Sequence, residues 1–147
     1  MSVDRGCCFV DTNVLVYAFE KGDSGRTLVA QELLDGLMAD NRLRMSTQVL
    51  QELFVTLTKK VKLRVSSAEA LAVMEELTAW PVFSIDYKAI RAAVELADDV
   101  RISFWDALVV VAANRSGARV LYTEDLNDGQ EILGVRISNP FKSQNRL

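Results

Sequence analysis

Cys7-Cys8-Phe9-Val10-Asp11-Thr12-Asn13-Val14-Leu15 is the stretch that decides the fold class. Its first four residues are an unbroken apolar run of strand length, as expected for a strand buried on both faces. A carboxylate follows at once. Near Asn13 the pattern turns helical and carries Val14, Leu15, Tyr17 and Ala18. The same alternation continues downstream. After a break at Gly22 to Gly25, a second helix places Leu28, Leu33, Leu34, Leu37 and Met38 at helical spacing. Leu43 to Met45 reads as a second strand, and Ser46 or Thr47 caps a helix with Leu50, Leu53, Phe54, Leu57 and Val61 on one face.

Ser66 to Glu69 forms a capping box that opens a helix with Leu71, Met74 and Leu77, which Pro81 stops. Val82 to Ile85 is a third strand. Asp86 then caps a helix carrying Ile90, Ala93, Val94 and Ala97. A second capping box, Ser103 to Asp106, leads into the apolar run Ala107 to Ala113, which Gly117 ends. Arg119 to Tyr122 and Val135 to Ser138 supply two last short strands. Short apolar strands alternating with helices predict an α/β fold with a parallel sheet covered on both faces and right-handed crossovers. Such sheets bind ligands outside the carboxyl ends of their strands.

With 147 residues, half of them hydrophobic, the chain reads as one domain over 1–147. No run of about 18 apolar residues suggests a membrane span. No basic region and apolar run at the start suggest a secretion signal, so a cytoplasmic protein without a membrane partner is expected. The two cysteines, Cys7 and Cys8, are neighbours and cannot form a long-range disulfide framework; they read as small buried apolar residues. The formal net charge is −3, which argues against gripping nucleic acid through a strong positive field. Histidine is absent. This excludes Ser-His-Asp and Cys-His catalysis and histidine-ligated zinc. Any hydrolysis must then use carboxylates, hydroxyls and oxygen-bound metal.

Four carboxylates stand at informative places. Asp11 directly follows the first strand, and Asp125 follows the strand ending at Tyr122. Asp106 lies in a first helical turn and Glu52 in a second. If they converged, two charges about 4 Å apart would repel by roughly 4 kcal/mol at an effective dielectric of 20. A few such pairs rival a domain stability of about 5–15 kcal/mol. The cluster would therefore hold protons or bind a cation, and an all-oxygen set favours magnesium or manganese. Each acid also has a plainer reading. Asp11 serves equally well as an N-cap, and Asp106 as a capping-box residue. Glu52 shares a polar stripe with Gln48, Thr56 and Lys59. Asp125 belongs to Glu124-Asp125-Leu126-Asn127-Asp128-Gly129, whose residue types also mark turns.

Taken together the blocks resemble PIN-domain proteins, and among them the VapC-type toxins of bacterial toxin–antitoxin pairs. Phe9-Val10-Asp11-Thr12-Asn13-Val14-Leu15 matches the opening motif. Gln51-Glu52-Leu53, Ser103-Phe104-Trp105-Asp106-Ala107-Leu108 and Tyr122-Thr123-Glu124-Asp125-Leu126 match the next three acidic positions, and Gly134 to Phe141 matches a common tail. The resemblance implies a three-layer α/β/α sandwich with a short parallel sheet. It implies a magnesium-dependent ribonuclease, with manganese able to substitute. Asp11, Glu52, Asp106 and Asp125 would be catalytic. Asp11, Asp106 and Asp125 would hold metal, with Asp11 and Asp106 as the core ligands. Thr12, Asn13 and Thr123 would orient carboxylates and water. Water would attack in line and leave a 5′-phosphate and a 3′-hydroxyl. Implied partners are RNA, a VapB-type antitoxin and a second copy of the chain in a homodimer.

Asp128 matches a position acidic in only some relatives and reads as a turn residue with Gly129. Glu124 reads as a solvated neighbour. Basic residues for RNA contact are Arg42 and Arg44 beside the second strand and the group Lys59, Lys60, Lys62 and Arg64, which also suits a helix C-terminus. Two other classes compete. Another metal-dependent phosphohydrolase or a receiver domain would show a paired acid after strand one, where this chain has Asp11-Thr12-Asn13. A catalytically silent partner-binding module would use the helices around Leu28 to Met38 and Leu50 to Val61, whose apolar stripes read rather as core.

Overall fold

A computed structural model describes residues 6–20, 25–60 and 63–142. The chain runs β1 (Cys7–Val10), α1 (Thr12–Phe19), α2 (Gly25–Ala39), β2 (Leu43–Ser46), α3 (Thr47–Lys59) and α4 (Ser67–Leu77). It continues through β3 (Val82–Phe83), α5 (Tyr87–Val100), α6 (Phe104–Arg115), β4 (Ala118–Tyr122), β5 (Glu131–Ile132) and β6 (Val135–Ser138). Of the expected features, Val61, Lys62 and residues 22–24 of the Gly22 to Gly25 break lie outside the described residues. Gly25 itself opens α2.

The strands form one sheet in the order β3-β2-β1-β4-β6-β5. All neighbours are parallel except β5 and β6, which form an antiparallel hairpin at one edge. That hairpin departs from the all-parallel expectation. Its two-residue turn, Leu133-Gly134, has positive φ at both positions (52° and 75°), the geometry that matches hairpin twist. The edge strands β3 and β5 are only two residues long. β1 lies inside the sheet. The chain builds outward from it through β2 and β3, then returns to its other side with β4. The β1–β4 boundary is therefore the switch point, where the carboxyl ends of the strands leave a crevice.

Helices flank the sheet in two groups. α1 packs on α2 and α3, and α3 on α4; α2 and α3 reach β2. α6 packs on β2, β4 and β6, with α5 against it. This explains the composition of α6, which is buried at every position from Ala107 to Ala113 and apolar on all sides. α5, outside it, shows water a polar face. The core is anchored by fully buried Phe9, Leu15, Leu43, Met45, Leu53, Leu57, Leu121, Ile137 and Phe141.

The expected caps form. The hydroxyls of Ser46, Ser66 and Ser103 and the carboxylate of Asp86 each accept a backbone N–H three residues on. Some faces are rotated from expectation. On α5 the buried row is Ala89, Ala93 and Leu96, while Ile90 and Val94 are exposed. On α3 the row Val49, Leu53, Leu57 is buried, with Leu50 and Phe54 at its margin. Leu28 and Leu71 also face outward. Alanine rows permit close helix packing, so tertiary fit overrides side-chain size in choosing the face.

Candidate functional site

Asp11 ends β1 at the switch point, and its backbone N–H is bonded to the Tyr122 carbonyl of β4. It is buried, and its side chain caps α1 by accepting the Thr12 N–H at 2.7 Å. Asp11 thus caps α1 while its carboxylate also lines a cavity. Its other oxygen, Oδ2, accepts the Thr123 hydroxyl at 2.9 Å and the Asn13 side-chain amide at 3.5 Å. Asn13 also donates to the Thr123 hydroxyl oxygen (3.3 Å), as does the Asp125 N–H (3.2 Å). Thr123 is completely buried. These bonds tie the ends of β1 and β4 together and fix where the Asp125 loop begins.

Glu52 comes from α3. The Thr12 hydroxyl donates to its Oε2 at 3.1 Å, and the Gln48 amide donates to its Oε1 at 3.2 Å. Thr12 therefore links the Asp11 turn to the Glu52 carboxylate. Asp106 sits in the first turn of α6, where the Ser103 hydroxyl accepts its N–H at 3.0 Å. All four acids, Asp11, Glu52, Asp106 and Asp125, line a single cavity of about 590 Å³. Among the described residues, however, no three acidic or thiol side chains stand close enough to enclose one ion. Asp11 and Glu52 are turned to their hydroxyl and amide donors, and like charges gain nothing by closer approach.

Burial pushes Asp11 from its usual 3.8 up to about 7; Thr123 and Thr12 oppose the rise, and the charges of Asp125 and Glu52 add to it. Asp106 is raised too, chiefly by burial, with the Ser103 hydroxyl opposing and Asp125 adding. The residues fit a divalent cation on three counts. The donors are all hard oxygens. The deepest one resists ionisation beside its acidic neighbours. In addition the Oε1 atom of buried Gln48, which lines the same cavity, has no hydrogen-bond partner.

Asp128 behaves as a turn residue, accepting the Asn139 N–H at 2.8 Å. Glu124 is not a solvated neighbour. It lines the cavity, pairs with Arg26 at 2.8 Å and accepts the Tyr17 hydroxyl at 3.3 Å, while Arg26 lies over the rings of Tyr17 and Phe141. Of the expected basic residues, Lys62 lies outside the described residues; among the described ones Lys60 alone lines the cavity, and it pairs with Glu20 at 2.8 Å. Arg42 bonds the Gly6 carbonyl at the opposite, amino ends of the strands. Sequence reasoning missed Gln48 and Trp105 as cavity residues. Gln48 looked like part of a solvated stripe but is buried, and Trp105, given no role of its own within the Ser103 to Leu108 block, is exposed.

The sequence pattern that defines the PIN domain matches residues 8–127. No curated protein sequence matches the chain. Solved structures do. VapC20 of Mycobacterium tuberculosis, a toxin that cleaves the sarcin-ricin loop, is similar at 24% identity and a TM-score of 0.61, over 80% of this chain and 89% of its own. A chain of VapBC2 from Rickettsia felis, bound to a promoter DNA fragment, is similar at 22% identity and 0.66, over 90% and 98%. A chain of a toxin–antitoxin complex from Klebsiella pneumoniae is similar at 19% and 0.67, over 90% and 97%. Among the described residues no helix is long and apolar enough to cross a membrane.

Proposed function

The chain belongs to the PIN-domain family, and from that premise we propose that it is a magnesium-dependent endoribonuclease, a VapC-type toxin restrained by a VapB-type antitoxin. The observation that carries the proposal is the convergence of Asp11, Glu52, Asp106 and Asp125 on one cavity at the sheet's switch point. No nucleophilic alternative competes, since the chain has no histidine to activate a serine or cysteine. RNA is the substrate class, and a homodimer acting in the cytoplasm is the working form.

Asp11 and Asp106 would hold the ion, with Asp125 as the third oxygen donor. A magnesium or manganese ion bound there would supply Lewis-acid polarisation of a phosphate and a lowered pKa for a water nucleophile. The chain's own groups do the rest. Thr123 and Asn13 fix the rotamer of Asp11, and Thr12 with Gln48 aims Glu52. Glu52 or Asp125, both more exposed than Asp11, accepts the proton of the attacking water. The water oxygen bonds to phosphorus, the bond from phosphorus to the 3′ oxygen breaks, and that oxygen takes a proton from solvent water and leaves as a hydroxyl. The products are a 5′-phosphate and a 3′-hydroxyl.

The test is cleavage-end mapping on RNA from cells expressing the wild type, Asp11→Asn or Asp106→Asn, paired with assays of the purified proteins. New 5′-phosphate ends should appear with the wild type only, and each mutant should lose at least about 100-fold in rate, since even partners one step removed from a metal cost 10–100-fold. Full ribonuclease activity in either folded mutant would sink the assignment.

A further inference from the structure

Trp105 is the anomaly of the site. It belongs to the most buried helix, yet its own side chain is 62% exposed. It borders the same cavity as the four carboxylates and directly precedes Asp106. The Phe104 ring stands nearly perpendicular to it, at 74° and 5.1 Å between centroids, and so braces the indole without covering it. Val16, Val55 and Val109 add apolar wall to the cavity. Gln48, only 4% exposed, donates one amide nitrogen both to the Trp105 carbonyl (3.4 Å) and to Glu52 (3.2 Å). The indole's backbone is therefore indexed to the carboxylates.

We propose that Trp105 is a stacking platform for one base of single-stranded RNA, adjacent to the phosphate that is cut; this rests on the ribonuclease reading above. The charge pattern favours a neutral base over a phosphate as the group that meets the indole. Lys60 is the one cation among the described lining residues and is already paired, whereas five carboxylates line the cavity. Away from a bound metal, the side chains themselves thus attract phosphate weakly. Stacking needs no charge and accepts every base, because each has a π-face. The platform gives grip beside the acids without fixing a sequence.

The test uses the full chain and a single-stranded oligoribonucleotide cut at one position, together with versions carrying one abasic nucleotide on either side of the cut. Trp105→Ala should raise KM about 10-fold, with the loss falling on KM rather than kcat, and Trp105→Phe should recover most of it. At one position the abasic substrate should cost the wild type a similar factor and Trp105→Ala nothing. In a Trp80→Phe background, the oligonucleotide with EDTA should quench the fluorescence of Trp105. A wild type that cuts no RNA with magnesium or manganese would defeat the ribonuclease reading, and quenching would then decide stacking alone. Equal KM for wild type and Trp105→Ala, abasic penalties identical in both, or no quenching would overturn the proposal. A variant that loses only its grip on a protein partner would also overturn it.

Discussion

Replacing Asp11 with asparagine separates the electrostatic cost of the site from its chemistry. In the metal-free protein burial raises Asp11 from 3.8 to about 7. A carboxyl raised in the folded state holds its proton longer there than in the unfolded chain. The stability it contributes is complete below pH 3.8 and is lost as pH rises through about 7. Each pH unit between those values costs about 1.4 kcal/mol. Allowing for partial titration at both ends, the wild type loses about 2–3 kcal/mol between pH 5 and pH 8 through this one group. Asparagine has no proton to lose. Its oxygen still accepts the Thr12 N–H, while its amide meets a Thr123 hydroxyl whose oxygen already accepts from Asn13 and Asp125; the cost of that mismatch is an offset that does not vary with pH. Urea unfolding in EDTA at pH 5 and pH 8 should therefore show the gap moving toward Asp11→Asn by about 2–3 kcal/mol. With magnesium the wild type should recover stability, more at pH 8 than at pH 6, and Asp11→Asn should not. A gap that stays constant or moves the other way would show that Asp11 is already ionised at neutral pH, and the burial argument would fail.

Thr123→Val removes the hydroxyl that donates to Asp11 Oδ2; manganese affinity by titration calorimetry should fall about 10–100-fold, and an unchanged value would deny Thr123 any role in aiming the carboxylate. Ser103→Ala removes the cap on α6 and should cost about 1 kcal/mol in urea unfolding, with no change in the unfolding slope.

What the sequence revealed was whatever is written locally. β1, the turn at Asp11 and the caps at Ser46, Ser66, Asp86 and Ser103 are each specified within a few residues, and each forms as expected. The hairpin strand β5 was not legible, because two residues carry no periodicity. Nor were the buried rows of α4 and α5, where alanine faces compete with larger residues and only the docking partner decides. The site divides in the same way. Asp11 and Asp125 follow strands that pair, so their common edge could be inferred. Glu52 and Asp106 entered through family resemblance, since each also suits a helix surface or a cap. Gln48 and Trp105 invert the usual hydropathy rule, polar inside and aromatic outside. That inversion depends on how α3 meets the start of α6, a contact between segments 57 residues apart.

The two-residue strands at the sheet edges limit how copies of this chain can meet. A β-sheet grows across a two-fold axis only where an edge offers enough free backbone to zip against its twin. Here β3 at one margin and β5 at the other offer two residues each, short of the five or six of an ordinary strand. Such blunted margins resist open-ended fibre growth. Among the described residues, the helix surfaces then offer a pair of these molecules more to join by than the strand margins do. The stoichiometry of the assembly would then respond to substitutions on helix surfaces and be indifferent to those along the sheet's rim.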